Sequence, residues 1–180
     1  MGFDIHGMNP VQRVFEEEKY PTYNKYSDMD FAERQKIFND NEELQSKYFE
    51  EMQKREDENP GIYFRNNVWW WRPLWNYVCA ECDDILSEED MDSGQYNDGR
   101  LITEDKACAI AKRLFERIET GHTKGCEDFH RKVMKEAEEN NKGKTCGDED
   151  YDWSSSYPFD VENVRSFAIF CAESGGFEIC

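Results

Sequence analysis

The chain has 180 residues, a length that suits one domain. Its 40 acidic and 22 basic residues give a formal net charge of −18. That charge argues against direct binding to nucleic acid, because such binding depends on neutralising phosphates. It is compatible with an acidic protein that mimics nucleic acid and occupies a basic partner. Aromatic residues make up 14% of the chain and hydrophobic residues only 38%, which predicts a small, aromatic-rich core.

The sequence shows no targeting segment. Its N-terminus lacks the basic region and apolar run of a signal peptide, and no stretch is apolar for long enough to span a membrane. The seven cysteines are odd in number and are not spaced as in a secreted framework, so we expect them to be reduced. These features predict a cytoplasmic protein.

Short alternating patterns occur at both ends of the chain. Residues 3–6 alternate apolar and polar side chains before a glycine, and residues 177–180 repeat that alternation. Alternation of this kind predicts half-buried strands. The segment 62–71 is also predicted to be extended. We therefore expect a small sheet formed by the termini and the 62–71 segment.

Residues 11–59 are predicted to form a helical, acidic insertion within a single domain that spans the whole chain. The polar, tyrosine-rich residues 10–29 are predicted to be irregular. Asp30 then has the right position to cap a helix over residues 31–57. That helix carries one apolar stripe, and the polar residues 39–41 are a predicted break.

Helical patterns fill most of the remaining sequence. Pro73 predicts the first turn of one helix, and Thr103 predicts the N-cap of the most regular helix, which ends at Gly121. A more polar helix is expected over residues 126–141, and Asp160 predicts the N-cap of the last one. Together with the sheet, these helices predict an α+β fold that is mainly helical.

The stretch from Tyr63 to Tyr77 holds four of the five tryptophans. Because successive side chains of a strand alternate faces, Trp69 and Trp71 are expected on one face and Trp70 on the other. One face would contribute to the core and the other would bind a planar anion by stacking and by arginine pairing. The alternative is that all the tryptophans are core residues. The candidate ligand-binding residues are Asp4, His6, Tyr63, Arg65, Asn66, Asn67, Trp69, Trp71 and Arg72.

Cys79 and Cys82 are separated by two residues, the spacing that supplies half of many zinc sites. A matching second pair is absent from the sequence. The alternative is two reduced, partly buried cysteines on one helix. Cys79 and Cys82 are therefore the candidate metal ligands, with zinc as the metal, and no other cofactor is expected.

Three segments are distinctive as strings: GFDIHGMNP at residues 2–10, YFRNNVWWWRPLW at residues 63–75, and the stretch from YPF at residues 157–159 to SGGFEIC at residues 174–180. In these segments the chain resembles a group of small proteins encoded by tailed bacteriophages. The resemblance implies a phage origin, expression in the cytoplasm of a bacterial host and a role in counter-defence. It transfers no catalytic residue to this chain.

Three functions are compatible with these patterns. The preferred hypothesis is a non-enzymatic protein that sequesters a nucleotide-like small molecule through its aromatic, arginine and asparagine side chains. The first alternative is an acidic inhibitor of a host protein that acts as a nucleic-acid mimic, with the 31–57 helix as its binding face. The second is a metal-assisted hydrolase that uses Asp4 and His6. A homo-oligomer is a further expectation, because the aromatic residues exceed what one small core needs.

Overall fold

The computed structural model describes residues 2–11 and 19–180 of the chain. These residues divide into two compact units. The main unit contains the chain up to Pro10 and from Gly61 to Cys180, and the helical unit is Val11–Pro60. The helical unit therefore has nearly the same limits as the acidic insertion predicted over residues 11–59. That this segment is an insertion within a single domain stays a prediction.

The described residues form four strands and eight α-helices. In chain order the elements are β1 (Gly2–Gly7), α1 (Pro21–Tyr26), α2 (Phe31–Asn39), α3 (Glu42–Glu58), β2 (Tyr63–Asn67), α4 (Val68–Glu81), α5 (Glu88–Ser93), β3 (Arg100–Ile102), α6 (Glu104–Glu119), α7 (His122–Asn140), a short 3₁₀ helix (Trp153–Ser156), α8 (Val161–Glu173) and β4 (Phe177–Ile179). Among the helices formed by the described residues, none combines the length and the hydropathy required of a membrane span.

The four strands form one antiparallel sheet in the order β2-β1-β4-β3. The two terminal strands, β1 and β4, are therefore neighbours at its centre. The predicted α+β, mainly helical fold with a sheet formed by the termini and the 62–71 segment is confirmed. The fourth strand, β3, was not expected, because its sequence Arg-Leu-Ile does not alternate between polar and apolar residues.

The sheet has one apolar and one polar face, as the alternation in the sequence requires. Phe3 and Ile5 of β1 and Phe177 and Ile179 of β4 are buried in the core of the main unit. Helices α4, α6 and α8 supply most of the rest of that core, which includes the fully buried Trp71, Trp75, Leu114 and Phe167.

The segment after β2 is helical where an extended chain was predicted. The Asn67 side chain accepts hydrogen bonds from the backbone N–H groups of Trp69 and Trp70, at 3.0 and 3.1 Å. It therefore caps α4, which begins at Val68 and not at Pro73. Because residues two apart on a helix are separated by about 200°, the three tryptophans do not alternate between two faces as predicted.

The helical unit contains α1, α2 and α3. The predicted 31–57 helix is present as α2 and α3, which are separated at Asp40. Residues 10–29 were predicted to be irregular, but Pro21–Tyr26 forms helix α1. Glu51 of α3 stabilises the first turn of α1 by accepting hydrogen bonds from the backbone N–H groups of Thr22 and Tyr23. Residues 12–18 of that predicted irregular segment lie outside the described residues.

Candidate functional site

The structure distributes the nine predicted ligand-binding residues over three places in the main unit. Four lie on the polar face of the sheet, two are directed into the interior, and three belong to the first two turns of α4 or its cap. In that order they are Asp4, His6, Tyr63 and Arg65; Asn66 and Trp71; and Asn67, Trp69 and Arg72.

The four residues on the sheet face interact with one another. Arg65 lies opposite Asp4 in the β1–β2 register, with Nε 3.4 Å from the Asp4 carboxylate oxygen Oδ1. The Tyr63 hydroxyl donates a hydrogen bond to the same Oδ1, and the Tyr63 and His6 rings are 5.2 Å apart. The positive charge of Arg65 is thus already compensated by Asp4, which weakens its attraction for an incoming anion.

Trp71 and Asn66 have structural partners. Trp71 is fully buried, and its Nε1–H donates to the Gly94 carbonyl at 2.8 Å. Its ring stacks on Phe3 at 5.2 Å between centroids. The Asn66 amide donates to Asn163 Oδ1 at 3.0 Å. The structure therefore places Trp71 in the core and not on a ligand-facing surface.

Trp69 belongs to a group of partly exposed rings at the surface, which we name the aromatic shelf. Its ring is nearly parallel to that of Trp153, with an angle of 7° and 6.1 Å between centroids. These two tryptophans are 37% and 46% exposed. Tyr157 contacts Trp69 at 5.1 Å and Tyr151 contacts Trp153 at 5.0 Å. The shelf consists of Trp69, Tyr151, Trp153 and Tyr157.

Arg72 borders the aromatic shelf. Its Nη1 donates to the Tyr157 hydroxyl at 3.3 Å, and its side chain is exposed. Among the described residues, no carboxylate lies within ion-pair distance of this guanidinium. The amide oxygen of Asn67, another member of the predicted set, is occupied by capping α4.

Hydrogen bonds within residues 141–155 position the segment that carries Tyr151 and Trp153. Asn141, at the end of α7, donates to the Asp152 carbonyl and accepts from the Asp152 N–H, both at 2.8 Å. The Asp152 carboxylate caps the 3₁₀ helix by accepting the Ser154 N–H at 3.0 Å, and this hydrogen bond lowers the pKa of Asp152. The rings are therefore positioned by hydrogen bonds along the chain, before any ligand arrives.

Three shelf residues were not predicted from the sequence. Tyr151, Trp153 and Tyr157 occur in a polar segment without helical or strand periodicity. One signal was available: large aromatic side chains in such a segment usually need a packing partner. The only tryptophan outside the 63–77 stretch is Trp153, and it stacks on a tryptophan from that stretch.

A second feature is an apolar groove of about 490 Å³ between α4 and α7, which we name the α4–α7 groove. Tyr77 forms part of its wall; its hydroxyl bonds Thr123 Oγ1 at 2.9 Å, and burial raises its pKa to about 12. The ring nitrogens Nε2 of His122 and His130 already bond Glu81 and the Tyr157 carbonyl. The lining residues are Pro73, Asn76, Tyr77, His122, Gly125, Cys126, Phe129, His130 and Phe159.

Cys126, His122 and Glu81 lie together at this groove but do not form a catalytic triad. In a triad one imidazole nitrogen faces the nucleophile and the other faces the acid. Here the same atom, His122 Nε2, is 2.9 Å from Glu81 Oε1 and 3.8 Å from Cys126 Sγ. Burial and the Glu81 charge also raise the pKa of Cys126, which favours the unreactive thiol.

The candidate metal ligands Cys79 and Cys82 lie on or next to the last turn of α4. Cys82 is fully buried, and burial raises the pKa of each thiol to about 12. Among residues 2–11 and 19–180, no group of three or more His, Cys, Asp or Glu side chains is arranged to hold a metal ion. Zinc binding by this pair therefore stays a prediction from spacing alone.

Comparison of the chain with protein-family models, with curated proteins and with solved structures gave no match. The resemblance to small phage proteins stays a prediction. Chemically, the shelf offers aromatic faces beside a cation, whereas the groove offers an apolar cavity whose histidine contacts are made within the protein.

Proposed function

We propose that this protein binds and sequesters a nucleotide-like small molecule at the aromatic shelf. The observation that carries the proposal is the nearly parallel, partly exposed pair Trp69 and Trp153 beside the exposed Arg72. A planar ring would stack on the tryptophans, and a phosphate would pair with the guanidinium.

The stacking part of this proposal rests on exposed ring area. Both tryptophans present part of their surface to solvent, and neighbouring tyrosines hold them from the side. Stacking of a nucleobase on an aromatic side chain contributes roughly 1–3 kcal/mol per base, and it tolerates different bases because each has a π face. The shelf is therefore suited to bases as a class.

The charge part of the proposal distinguishes Arg72 from Arg65. In a chain with a formal charge of −18, an anion is attracted only where a cation is locally free of carboxylates. Asp4 compensates Arg65 at 3.4 Å. Among the described residues, the side-chain hydrogen bond of Arg72 goes to the neutral Tyr157 hydroxyl and no carboxylate pairs with it, and its planar fork matches phosphate geometry.

The α4–α7 groove suits a nucleotide less well. Its lining is almost entirely apolar, and the Nε2 atoms of His122 and His130 are already bonded to Glu81 and to a backbone carbonyl. A phosphate placed there would lose its hydration without gaining strong donors. We therefore assign the nucleotide to the shelf.

The proposed role is capture without turnover. Stacking rings and a guanidinium bind a nucleotide, but they supply neither a general base nor a nucleophile. In the phage setting predicted from the sequence, such a protein would remove a signalling nucleotide of the host and so act in counter-defence.

Isothermal titration calorimetry with AMP, ADP, ATP, cyclic AMP and their guanine counterparts tests this proposal. We expect the parent protein to bind at least one of them, and Trp153→Ala and Arg72→Ala each to weaken that binding about tenfold or more. Arg65→Ala is the matched control, since it removes an arginine that is already paired, and it should leave affinity unchanged. Equal binding by all four proteins, or no binding by the parent, would contradict the proposal.

A further inference from the structure

Tyr157 contacts both parts of the proposed nucleotide site, the stacking rings and the cation. Its ring centroid lies 5.1 Å from that of Trp69. Its hydroxyl accepts a hydrogen bond from Arg72 Nη1 at 3.3 Å. Trp69 and Arg72 are three residues apart on α4 and are therefore neighbours on one face of that helix. Tyr157 thus links the stacking surface to the guanidinium.

The hydrogen bond from Arg72 leaves the proton of the Tyr157 hydroxyl available. A phenolic hydroxyl has one proton to donate, and its oxygen can accept as well. Here the oxygen accepts from the guanidinium, and among the residues that the structure describes the hydroxyl donates to no partner. The nearest carboxylates on either side in sequence, Asp152 and Asp160, are directed to backbone N–H groups at helix starts, at 3.0 and 2.7 Å.

The guanidinium also makes this hydroxyl a better donor. An O–H group whose oxygen accepts a hydrogen bond from a cation is polarised, and hydrogen bonds that form a chain strengthen one another. A negatively charged oxygen is the acceptor that forms the strongest bond with such a donor. The Tyr157 hydroxyl is therefore suited to an anionic oxygen.

Tyr157 is held at its backbone as well as at its ring. A carbonyl oxygen only accepts hydrogen bonds, so His130 Nε2 carries a hydrogen and donates it to the Tyr157 carbonyl. The Tyr157 N–H is directed to the Ser154 carbonyl at 3.5 Å. The hydroxyl is therefore positioned before a ligand arrives, which lowers the entropic cost of binding.

We propose that the Tyr157 hydroxyl and the Arg72 guanidinium together form the phosphate subsite of the aromatic shelf, each donating to a different oxygen of one phosphate. The two donor atoms are 3.3 Å apart, so they can face one phosphate group as the nitrogens of an arginine fork do. The guanidinium retains its other N–H groups for the second oxygen. This inference rests on the proposed function, because it assigns the phosphate contacts of that same site.

The subsite defines a class of ligand. Two donors that face one phosphate require two unesterified phosphate oxygens, which nucleoside monophosphates and cyclic nucleotides both have and nucleosides lack. A nucleoside gains only the stacking contribution. Tyr157 is then a residue that determines specificity for nucleotides over nucleosides, a role that Arg72 alone fulfils only in part.

Isothermal titration calorimetry of the full chain with AMP, GMP and cyclic AMP, and with adenosine and guanosine, tests the subsite. We expect Tyr157→Phe, which keeps the ring and removes only the hydroxyl, to weaken nucleotide binding about tenfold or more. Nucleoside binding should stay unchanged, because it does not use the hydroxyl. Circular dichroism should show that the variant is folded.

Two further proteins control for indirect effects. Tyr96→Phe removes the hydroxyl of a tyrosine that is 65% exposed and lies outside the shelf, so it should change neither affinity. Replacement of Tyr157 by p-aminophenylalanine places N–H donors where the hydroxyl was. It should restore the preference for nucleotides, an effect that a purely structural role of the hydroxyl does not predict.

The outcomes separate this inference from the proposed function. A parent protein that binds no nucleotide overturns both. A parent that binds nucleotides no more tightly than Tyr157→Phe overturns the phosphate subsite alone and leaves the shelf as the binding surface. Equal weakening of nucleotide and nucleoside binding by Tyr157→Phe also overturns the subsite, because the hydroxyl would then act only by holding the rings.

Discussion

The carboxylate of Asp90 is held in the fork of the Arg100 guanidinium, whose Nε and Nη2 atoms lie 2.9 and 2.5 Å from Oδ1. Asp90 is only 1% exposed. Its second oxygen accepts hydrogen bonds from Lys106 and from the Ser87 N–H. This buried cluster ties α5 to β3 and to the start of α6.

The Asp90 cluster predicts a large effect of Asp90→Asn on stability. The change leaves Lys106 without its carboxylate partner and leaves Arg100 with only the exposed Glu89, and the side chains of Arg100 and Lys106 are only 22% and 32% exposed. Breaking a buried ion pair by removing one partner costs about 3 kcal/mol or more. Urea unfolding should show this loss. Asp84→Asn is the control: Asp84 pairs with Arg113 but its side chain is 61% exposed, so the same measurement should change by less than about 1 kcal/mol.

The same cluster predicts a pH dependence. Burial raises the pKa of Asp90, but hydrogen bonds from Lys106, Ser87 and Arg100 outweigh it, and the pKa lies well below the usual 3.8. The unfolded chain then binds a proton on Asp90 more readily than the folded one. The stabilisation is complete above the ordinary pKa and is lost as pH falls below it. The stability difference between the parent and Asp90→Asn should therefore shrink on acidification; a constant difference would contradict this assignment.

Two glycines should respond in opposite directions to the same substitution. A Cβ at Gly94 would lie 2.2 Å from Cε2 of the buried Trp75 ring, so Gly94→Ala should destabilise by roughly 1–3 kcal/mol or more through overpacking. Gly125→Ala meets open space in a helix and should stabilise the protein by about 0.5–1 kcal/mol. Thermal unfolding of both variants checks the pair; a change of the same sign in both would contradict it.

The cysteines should differ strongly in reactivity in the folded protein. Cys82 and Cys171 are fully buried, and burial raises both pKa values, that of Cys82 to about 12. Cys108 and Cys146 are exposed. Because the thiolate is the reactive form, brief treatment with iodoacetamide should modify the exposed pair and leave the buried pair intact. Peptide mass spectrometry reads this directly, and full modification after denaturation is the control.

The elements with strong local signals were predictable from the sequence. Helix α6 follows Thr103 and is terminated near Gly121, whose φ of 77° is left-handed. Asp160 caps α8 by accepting the Asn163 N–H at 2.7 Å. In both cases the residue that ends or begins the helix acts through its own backbone or side chain, so the local sequence is sufficient.

The starts of two helices were predicted at the wrong residues, because a proline or glycine inside each helix was interpreted as its boundary. Pro73 suggested the start of a helix, but Asn67 caps it six residues earlier. The predicted 126–141 helix begins at His122, because Gly125 continues the helix through its bond to Gly121. A glycine or proline marks a permitted boundary and does not require one.

The shelf could be predicted only in part, because it joins segments that are distant in the chain. Trp69 and Arg72 were identified from their composition, whereas Trp153 and Tyr157 lie more than 80 residues later. Nothing in either segment alone specifies that these rings meet. The division of Arg65 and Arg72 between two surfaces likewise depends on where β2 ends and α4 begins.

The central position of β4 has a consequence for how the protein is made. Residues 177–179 lie between β1 and β3, so β1 has only β2 as a neighbour, and β3 has none, until this later segment has been synthesised. During translation β1 and β3 each expose an edge that only this late segment covers, and such edges invite pairing with other chains. The acidic charge of the nascent chain then helps to keep it soluble while the sheet is still incomplete.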